Sequence, residues 1–301
     1  MDRAVLTLKP REDLRLRAGH PWVYDNEIAR VEGSPQAGDE VEIRDGRGQT
    51  VGVALFNPRS KIRARIYSRK PRPADRDFFV ETLTRALELR KRSFDPDRQS
   101  LRLVFGEADG LPGLIVDSFV GQPAGQAGLA SGGAAKAGRW LSLQILSRGM
   151  ADRRDLIVEA LAEVFPATGL VERSDAPVRV LEGLEAVTAT ISGTVPDSIL
   201  ITEGGLTYAV DLVGGQKTGW FLDQRSNRAA AATYARGRRV LDTFCNAGGF
   251  GLSCAAAGAE SVLAVDASEE AVAQVSANAA RNGLEGKVKA VAANAFDYIR
   301  G

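Results

Sequence analysis

The feature that most constrains this chain is the run Val240-Leu-Asp-Thr-Phe-Cys-Asn-Ala-Gly-Gly-Phe-Gly251, followed by Val262-Leu-Ala-Val-Asp266. An apolar strand ends in a carboxylate, a Gly-rich turn opens a helix, and a second apolar strand ends in another carboxylate 24 residues after the first. Two strands joined through a helix must lie parallel, with their carboxyl ends and the turn at one edge of a sheet. The flanking pattern agrees. Helix Asp223–Tyr234, strand Arg239–Phe244, helix Phe250–Ala257, strand Ser261–Asp266, helix Glu269–Arg281 and strand Lys287–Val291 alternate strictly. That alternation predicts a doubly wound parallel sheet.

The turn carries the chemistry. Its glycines let backbone approach a ligand, and an acid after the second strand can accept both hydroxyls of a ribose. Dinucleotide sites hold an anionic pyrophosphate with G-x-G-x-x-G and a helix N-terminus. That spacing is absent, and Asp242 stands where it would repel a pyrophosphate. A carboxylate there suits the ammonium and sulfonium of S-adenosylmethionine. A nicotinamide or flavin site and a purely structural turn stay open on these residues alone. Asn294, past the third strand, can accept from an adenine amino group or simply cap a helix. The segment Gly214-Gly-Gln-Lys-Thr-Gly-Trp-Phe-Leu-Asp-Gln-Arg-Ser-Asn-Arg228 leads into the first helix and is placed to overhang the pocket. Asp223 capping that helix is the simpler reading.

The first seventy residues read differently. Short strands are expected at Ala4–Leu8, Glu40–Arg44, Thr50–Phe56 and Ile62–Tyr67, separated by turn signals. Residues 1–73 hold 15 Lys+Arg against 10 Asp+Glu, while the whole chain is nearly neutral at +1. Lys61, Arg63 and Arg65 alternate with Ile62, Ala64 and Ile66, so one strand face packs inward and three cations line the other. Such a row fits a phosphate backbone, or an ordinary solvated surface. Beside it, the His20–Tyr24 turn offers Trp22 and Tyr24 for stacking on unpaired bases, or as core anchors. After a linker at Pro71–Asp75, Asp75 or Asp77 caps a helix to about Arg92. An α+β stretch follows, with strands at Leu101–Phe105, Leu114–Val120, Trp140–Leu146 and Gly169–Arg173 and a helix at Arg153–Val164. Residues 121–138 are almost all Gly, Ala, Gln, Ser and Pro, which predicts a mobile insertion. A chain with two cysteines, one histidine and no long apolar run carries no disulfide framework, no metal site and no membrane span, and is expected in the cytoplasm.

GHPWVY at 19–24, DGLPGLIVD at 109–117, GGQKTGWFLDQRSNR at 214–228 and LDTFCNAGGFG at 241–251 together resemble the RlmI-type family. These are S-adenosylmethionine-dependent methyltransferases acting on cytosine C5 of large-subunit ribosomal RNA. The resemblance covers the chain apart from 121–138 and implies a multidomain α/β protein. It implies an N-terminal PUA-like RNA-binding β-barrel over 1–72, a central α+β domain over 73–195, and a Rossmann-like class I methyltransferase domain, incomplete, over 196–301. It further implies that Asp242, Phe244, Asn246, Gly248, Gly249 and Phe250 hold the cofactor's amino-acid end. Asp266 and Ala267 take its ribose and Asn294 its adenine, while Phe221, Asp223 and Arg225 close the pocket. His20, Trp22, Tyr24, Lys61, Arg63, Arg65 and Lys217 would contact ribosomal RNA. A homodimer stays open.

Cytosine C5 chemistry needs a cysteine thiolate adding to C6 and an acid near N3. In the family these follow later strands, the acid in an Asp-Pro-Pro segment that this sequence lacks. Cys245 lies in the cofactor turn and Cys254 one turn into an Ala-rich helix, both places for structural thiols. The catalytic residues are therefore expected beyond residue 301. The alternatives are a non-catalytic module that binds RNA and cofactor, and an enzyme acting on another atom such as a guanine nitrogen.

Overall fold

The computed structural model describes residues 3–124, 137–215 and 219–300. Lys217 and most of the 121–138 segment lie outside the described residues. The chain divides into two compact units. The first takes Met1–Asp97, Arg102–Phe119 and Arg139–Val195; the second takes Arg98–Leu101, Val120–Gly138 and Pro196–Gly301.

The first unit begins with β1 (Ala4–Leu8), α1 (Asp13–Arg17), β2 (Trp22–Tyr24), β3 (Ile28–Glu32), β4 (Glu40–Arg44), β5 (Thr50–Phe56) and β6 (Ile62–Ser68). The strands form one sheet in the order β2-β6-β5-β4-β1-β3. Period-two alternation sends Val41 and Ile43 of β4 inward and leaves Glu42 outside. Val23 from one edge strand meets Leu6 and Leu8, near the opposite edge, in a single buried cluster, so the sheet closes around one core. In the GHPWVY segment the chain turns at Gly19 (φ 109°), but Trp22–Tyr24, expected as part of that turn, form a strand of their own. Trp22 pairs opposite Arg65 and Val23 opposite Ala64 in ladder bonding to β6.

The unit continues with α2 (Arg76–Lys91), β7 (Leu101–Phe105), β8 (Leu114–Pro123), β9 (Gly138–Ile145), α3 (Arg148–Ala151), α4 (Arg154–Val164), β10 (Gly169–Ser174) and β11 (Val187–Gly193). Asp75 caps α2, accepting from the Phe78 N–H at 2.9 Å. Strands run β11-β10-β9-β8, with β7 beside β8. The DGLPGLIVD segment has a structural role. Asp109 takes both ends of the Arg90 guanidinium at 2.6 Å, and the fully buried Asp117 takes Arg102 at 2.8 and 3.0 Å.

In the second unit, the segment expected as a mobile insertion starts as strand. Gly121–Pro123 pair antiparallel with Ile199–Ile201 of β12 (Ile199–Glu203). Backbone pairing needs no apolar side chain, and an added Cβ on Gly121 would come within 2.0 Å of the Leu200 carbonyl. β12 turns through Gly204 and Gly205, both at positive φ, into β13 (Leu206–Val210). Then come α5 (Arg225–Thr233), β14 (Arg239–Thr243), α6 (Gly249–Ala256), β15 (Ser261–Asp266), α7 (Glu269–Arg281), β16 (Val288–Ala292) and α8 (Ala295–Arg300). β14, β15 and β16 are parallel and adjacent in that order. Ser268 caps α7, accepting from Ala271 at 3.2 Å, with Glu269 and Glu270 in the first turn and Arg281 in the last. The helix expected from Asp223 starts at Arg225, after a 3-10 turn at Leu222–Gln224, and Asp223 makes no side-chain cap there. Among the described residues, no helix is long and apolar enough to cross a membrane.

Candidate functional site

The turn between β14 and α6 is built to stand open at a sheet edge. Phe244 (φ 57°) and Asn246 (φ 49°) both adopt left-handed backbone, and Gly248 (φ 84°) does so as the residue before α6. For a non-glycine residue that conformation costs about 1–2 kcal/mol. The strain is held by hydrogen bonds from both strand ends. Asp266 accepts from the Asn246 N–H at 2.9 Å and from the Ser268 N–H at 3.0 Å. Asp242 accepts from the Gly251 N–H at 2.8 Å. Side chains at Gly249 or Gly251 would fill the same space, since a Cβ would fall 2.9 Å from Arg228 Cδ or 3.0 Å from Asp242 Oδ2.

Above this turn lies a cavity of about 530 Å³, within the range of small-ligand sites. Of the residues expected from sequence, Phe221, Asp223, Phe244, Asn246, Gly249, Phe250 and Asp266 line it together. Trp220, Gln224, Arg228, Cys245 and Ala247 complete the wall. Five expected residues lie elsewhere. Asp242 braces the turn and Gly248 ends it, while Ala267 is exposed outside the wall. Arg225 donates to the Ser100 carbonyl and, at 3.4 Å, to Glu203. The Asn294 amide oxygen accepts from the Phe296 N–H at 2.9 Å, capping α8, because a short polar side chain before a helix is drawn to its unpaired N–H groups.

Burial pushes the Asp242 carboxyl above its ordinary range, and the charge of Asp266 adds to this against the Gly251 N–H. Burial likewise pushes the Cys245 thiol up to about 12 and raises that of Cys254. Both cysteines are buried, Cys245 beside Ala264 and Val275. Neither environment favours a thiolate.

Trp220 and Arg228 lie in the motif that sequence singled out, but their partner Glu203 was not legible, because only folding brings β12 to α5. Arg228 donates to Glu203 at 2.7 Å and lies 4.8 Å from the Trp220 ring centre.

A second group of candidates gathers on the closed sheet of the first unit. His20, Trp22 and Tyr24 stand edge to face, with centroids 5.6 and 6.4 Å apart. Arg15 lies over Tyr24 and Arg65 over Trp22. His20 Nδ1 accepts from the Trp22 N–H at 3.1 Å, which assigns the ring proton to Nε2. The three cations expected as one row do not form a free one, and Lys61 lies just before β6. Arg65 donates to Glu107 at 3.0 Å and to Glu182 at 2.9 Å, and its side chain is only 12% exposed. Arg63 donates to the Pro58 carbonyl and sits 3.8 Å from Asp25; Lys61 is exposed. Alternation separates the two faces of β6, but carboxylates 42 and 117 residues away engage Arg65 on the second one.

Comparison with known proteins agrees with both regions. Residues 6–69 match the PUA-like domain, and residues 183–298 match the S-adenosylmethionine-dependent methyltransferase family. The Ribosomal RNA large subunit methyltransferase I of Alteromonas mediterranea is 37% identical over 286 residues, covering 94% of this chain and 68% of that protein. The chain belongs to this methyltransferase family. Family members of the same name from Vibrio cholerae (36% identical, all of this chain and 72% of the relative) and Aeromonas hydrophila (39%, 95% and 68%) agree. The fold is shared with a solved Streptococcus mutans chain at TM-score 0.79 and 22% identity, covering 98% of this chain and 72% of that one. A second solved methyltransferase-type chain, complexed with SAH, gives 0.80 at 22% identity, covering 98% and 71%. Membership makes the protein an S-adenosylmethionine-dependent methyltransferase by family, with S-adenosylmethionine as its cofactor.

Proposed function

We propose that this protein methylates large-subunit ribosomal RNA, with cytosine C5 as the target and S-adenosylmethionine bound in the cavity above the 244–250 turn. The observation that carries this is the cavity itself. Asp266 is anchored by two backbone N–H groups and lines open space together with Gly249, where an added Cβ would press on Arg228 and Trp220 of the same wall. The residues present fit the cofactor. Asp266 can accept from ribose hydroxyls, Phe221, Phe244 and Phe250 supply apolar wall, and Asp223 meets the cationic amino-acid end. When bound, the cofactor supplies an electrophilic methyl group. The protein's own residues orient it and keep water from the apolar wall.

In this reading residues 1–72 form the RNA-binding domain, 73–195 a central domain and 196–301 the donor-binding part of the methyltransferase domain. RNA would meet Lys61, Arg63, Lys217 and the exposed edges of His20, Trp22 and Tyr24. Arg65, engaged by Glu107 and Glu182, would hold Trp22 rather than bind phosphate. The thiol that C5 chemistry requires is neither Cys245 nor Cys254, whose burial suppresses the thiolate. The test is transfer of a labelled methyl group to large-subunit ribosomal RNA by the full-length protein as its native cell makes it, with nucleoside analysis of the product. Label in 5-methylcytosine supports the reading; label on a guanine nitrogen overturns the choice of atom.

A further inference from the structure

Among the described residues the cavity wall contains two carboxyl side chains, Asp223 and Asp266, and one guanidinium, Arg228. The donor's amino-acid end carries a carboxylate as well as an ammonium group, and a carboxylate buried without a partner is costly. Arg228 is the one cation in that described wall, and it is only 4% exposed. Its guanidinium is fixed from two sides. Nε donates to Glu203 at 2.7 Å and Nη2 to the Phe221 carbonyl at 3.0 Å, leaving Nη1 without a hydrogen bond among the described residues. The Trp220 ring supports it at 4.8 Å. Its stem lies against Gly249, the first residue of α6, where an added Cβ would come within 2.9 Å of Cδ. Arg228 thus stands beside the N-terminus of α6, whose positive end favours an anion. Glu203 does not cancel this charge, because Arg225 also reaches it at 3.4 Å, leaving two guanidiniums on one carboxylate.

We propose that Arg228 binds the carboxylate of the donor's amino-acid end, with Glu203 as the positioning residue that fixes the guanidinium. The inference rests on the reading of the cavity as the donor site and adds the group that recognises the donor's anion. Nothing else in the described wall offers that charge, and a planar fork held at two of its nitrogens is pre-organised for a carboxylate.

The test is a calorimetric comparison of S-adenosylmethionine with its decarboxylated form, on the 301-residue chain and its variants. A hydrogen-bonded charge pair is worth about 1.5–3 kcal/mol, so the wild-type chain should prefer the carboxylated donor by roughly tenfold or more. Arg228→Gln should weaken the carboxylated donor by a similar factor, leave the decarboxylated one nearly unchanged and bring the ratio close to one. Arg228→Lys, which keeps the charge but loses the fork, should retain part of the preference. The ratio is read within one protein, so a general loss of stability does not imitate the result. A wild-type ratio near one, or an undiminished ratio in Arg228→Gln or Arg228→Lys, overturns the assignment of Arg228. Failure of the wild-type chain to bind either compound instead overturns the donor-cavity reading, and this inference with it.

Discussion

Charged residues are used in opposite ways on the closed sheet of the first unit and the parallel sheet of the second. On the closed sheet, cations and carboxylates neutralise each other. Arg65 bridges Glu107 and Glu182, Arg15 pairs with Glu27, and Glu40 gathers Arg3 and Arg153. On the parallel sheet, Asp242 and Asp266 have backbone N–H partners and, among the described residues, no cation within ion-pair distance. The paired charges of the closed sheet hold architecture, whereas Asp266, fixed only by the backbone, lines the cavity. The titration directions follow this division. Burial alone would raise the Glu182 carboxyl, but Arg65, Asn57 and Ser60 outweigh it and hold it below 4.5. Asp242, without a cation, goes the other way.

The contrast can be broken most forcefully at Arg65. Arg65→Ala strands the buried Glu182 and should cost about 3 kcal/mol or more of stability, read by denaturant melts, while donor affinity stays unchanged. Asp266→Ala should act on the donor as well as on the turn that its bonds to Asn246 and Ser268 hold. It removes an acceptor for two ribose hydroxyls and should weaken S-adenosylmethionine about 100-fold at hydrogen-bond values for charged groups, measured by calorimetry.

The pH dependences should have opposite signs. Glu182 is held low, so its stabilisation is full above 4.5 and disappears as pH falls through its folded value. Glu182→Gln should flatten the acid limb of stability. Asp242 is raised above 3.8, so its ionised form weighs against folding at neutral pH and the penalty vanishes in acid. Asp242→Asn should melt higher at pH 7, an advantage that shrinks as pH falls toward 3.8. The smallest effect belongs to Lys61 and the partly exposed Arg63. Replacing Lys61 and Arg63 with Ala should lower the slope of log affinity for RNA against log salt by about one unit for each phosphate no longer neutralised, whereas Lys61→Ala alone should leave stability untouched.

How far the sequence was legible follows the range of the forces involved. β4, β5 and the parallel strands were readable because alternation and apolar runs are local. β2 was obscured by Gly19 and Pro21, because the turn at Gly19 is real and the three residues after Pro21 become strand only through pairing with β6. The donor turn was readable from its glycines and the two strand-end carboxylates, which lie within one βαβ unit. The pairing of Arg65 with Glu182, and of Arg228 with Glu203, arises from tertiary structure that no local pattern encodes. Asn294 shows a different limit. Its position past β16 was recognised, but the same amide can face a ligand or cap a helix, and the folded chain uses its oxygen for α8.

The most direct test of the account is a calorimetric titration of the 301-residue chain with S-adenosylmethionine. It predicts one donor bound per chain, by the folded protein, with affinity sharply reduced in Asp266→Ala. No saturable binding, or binding indifferent to Asp266→Ala in a folded variant, would contradict the claim that the 244–250 turn is the donor site.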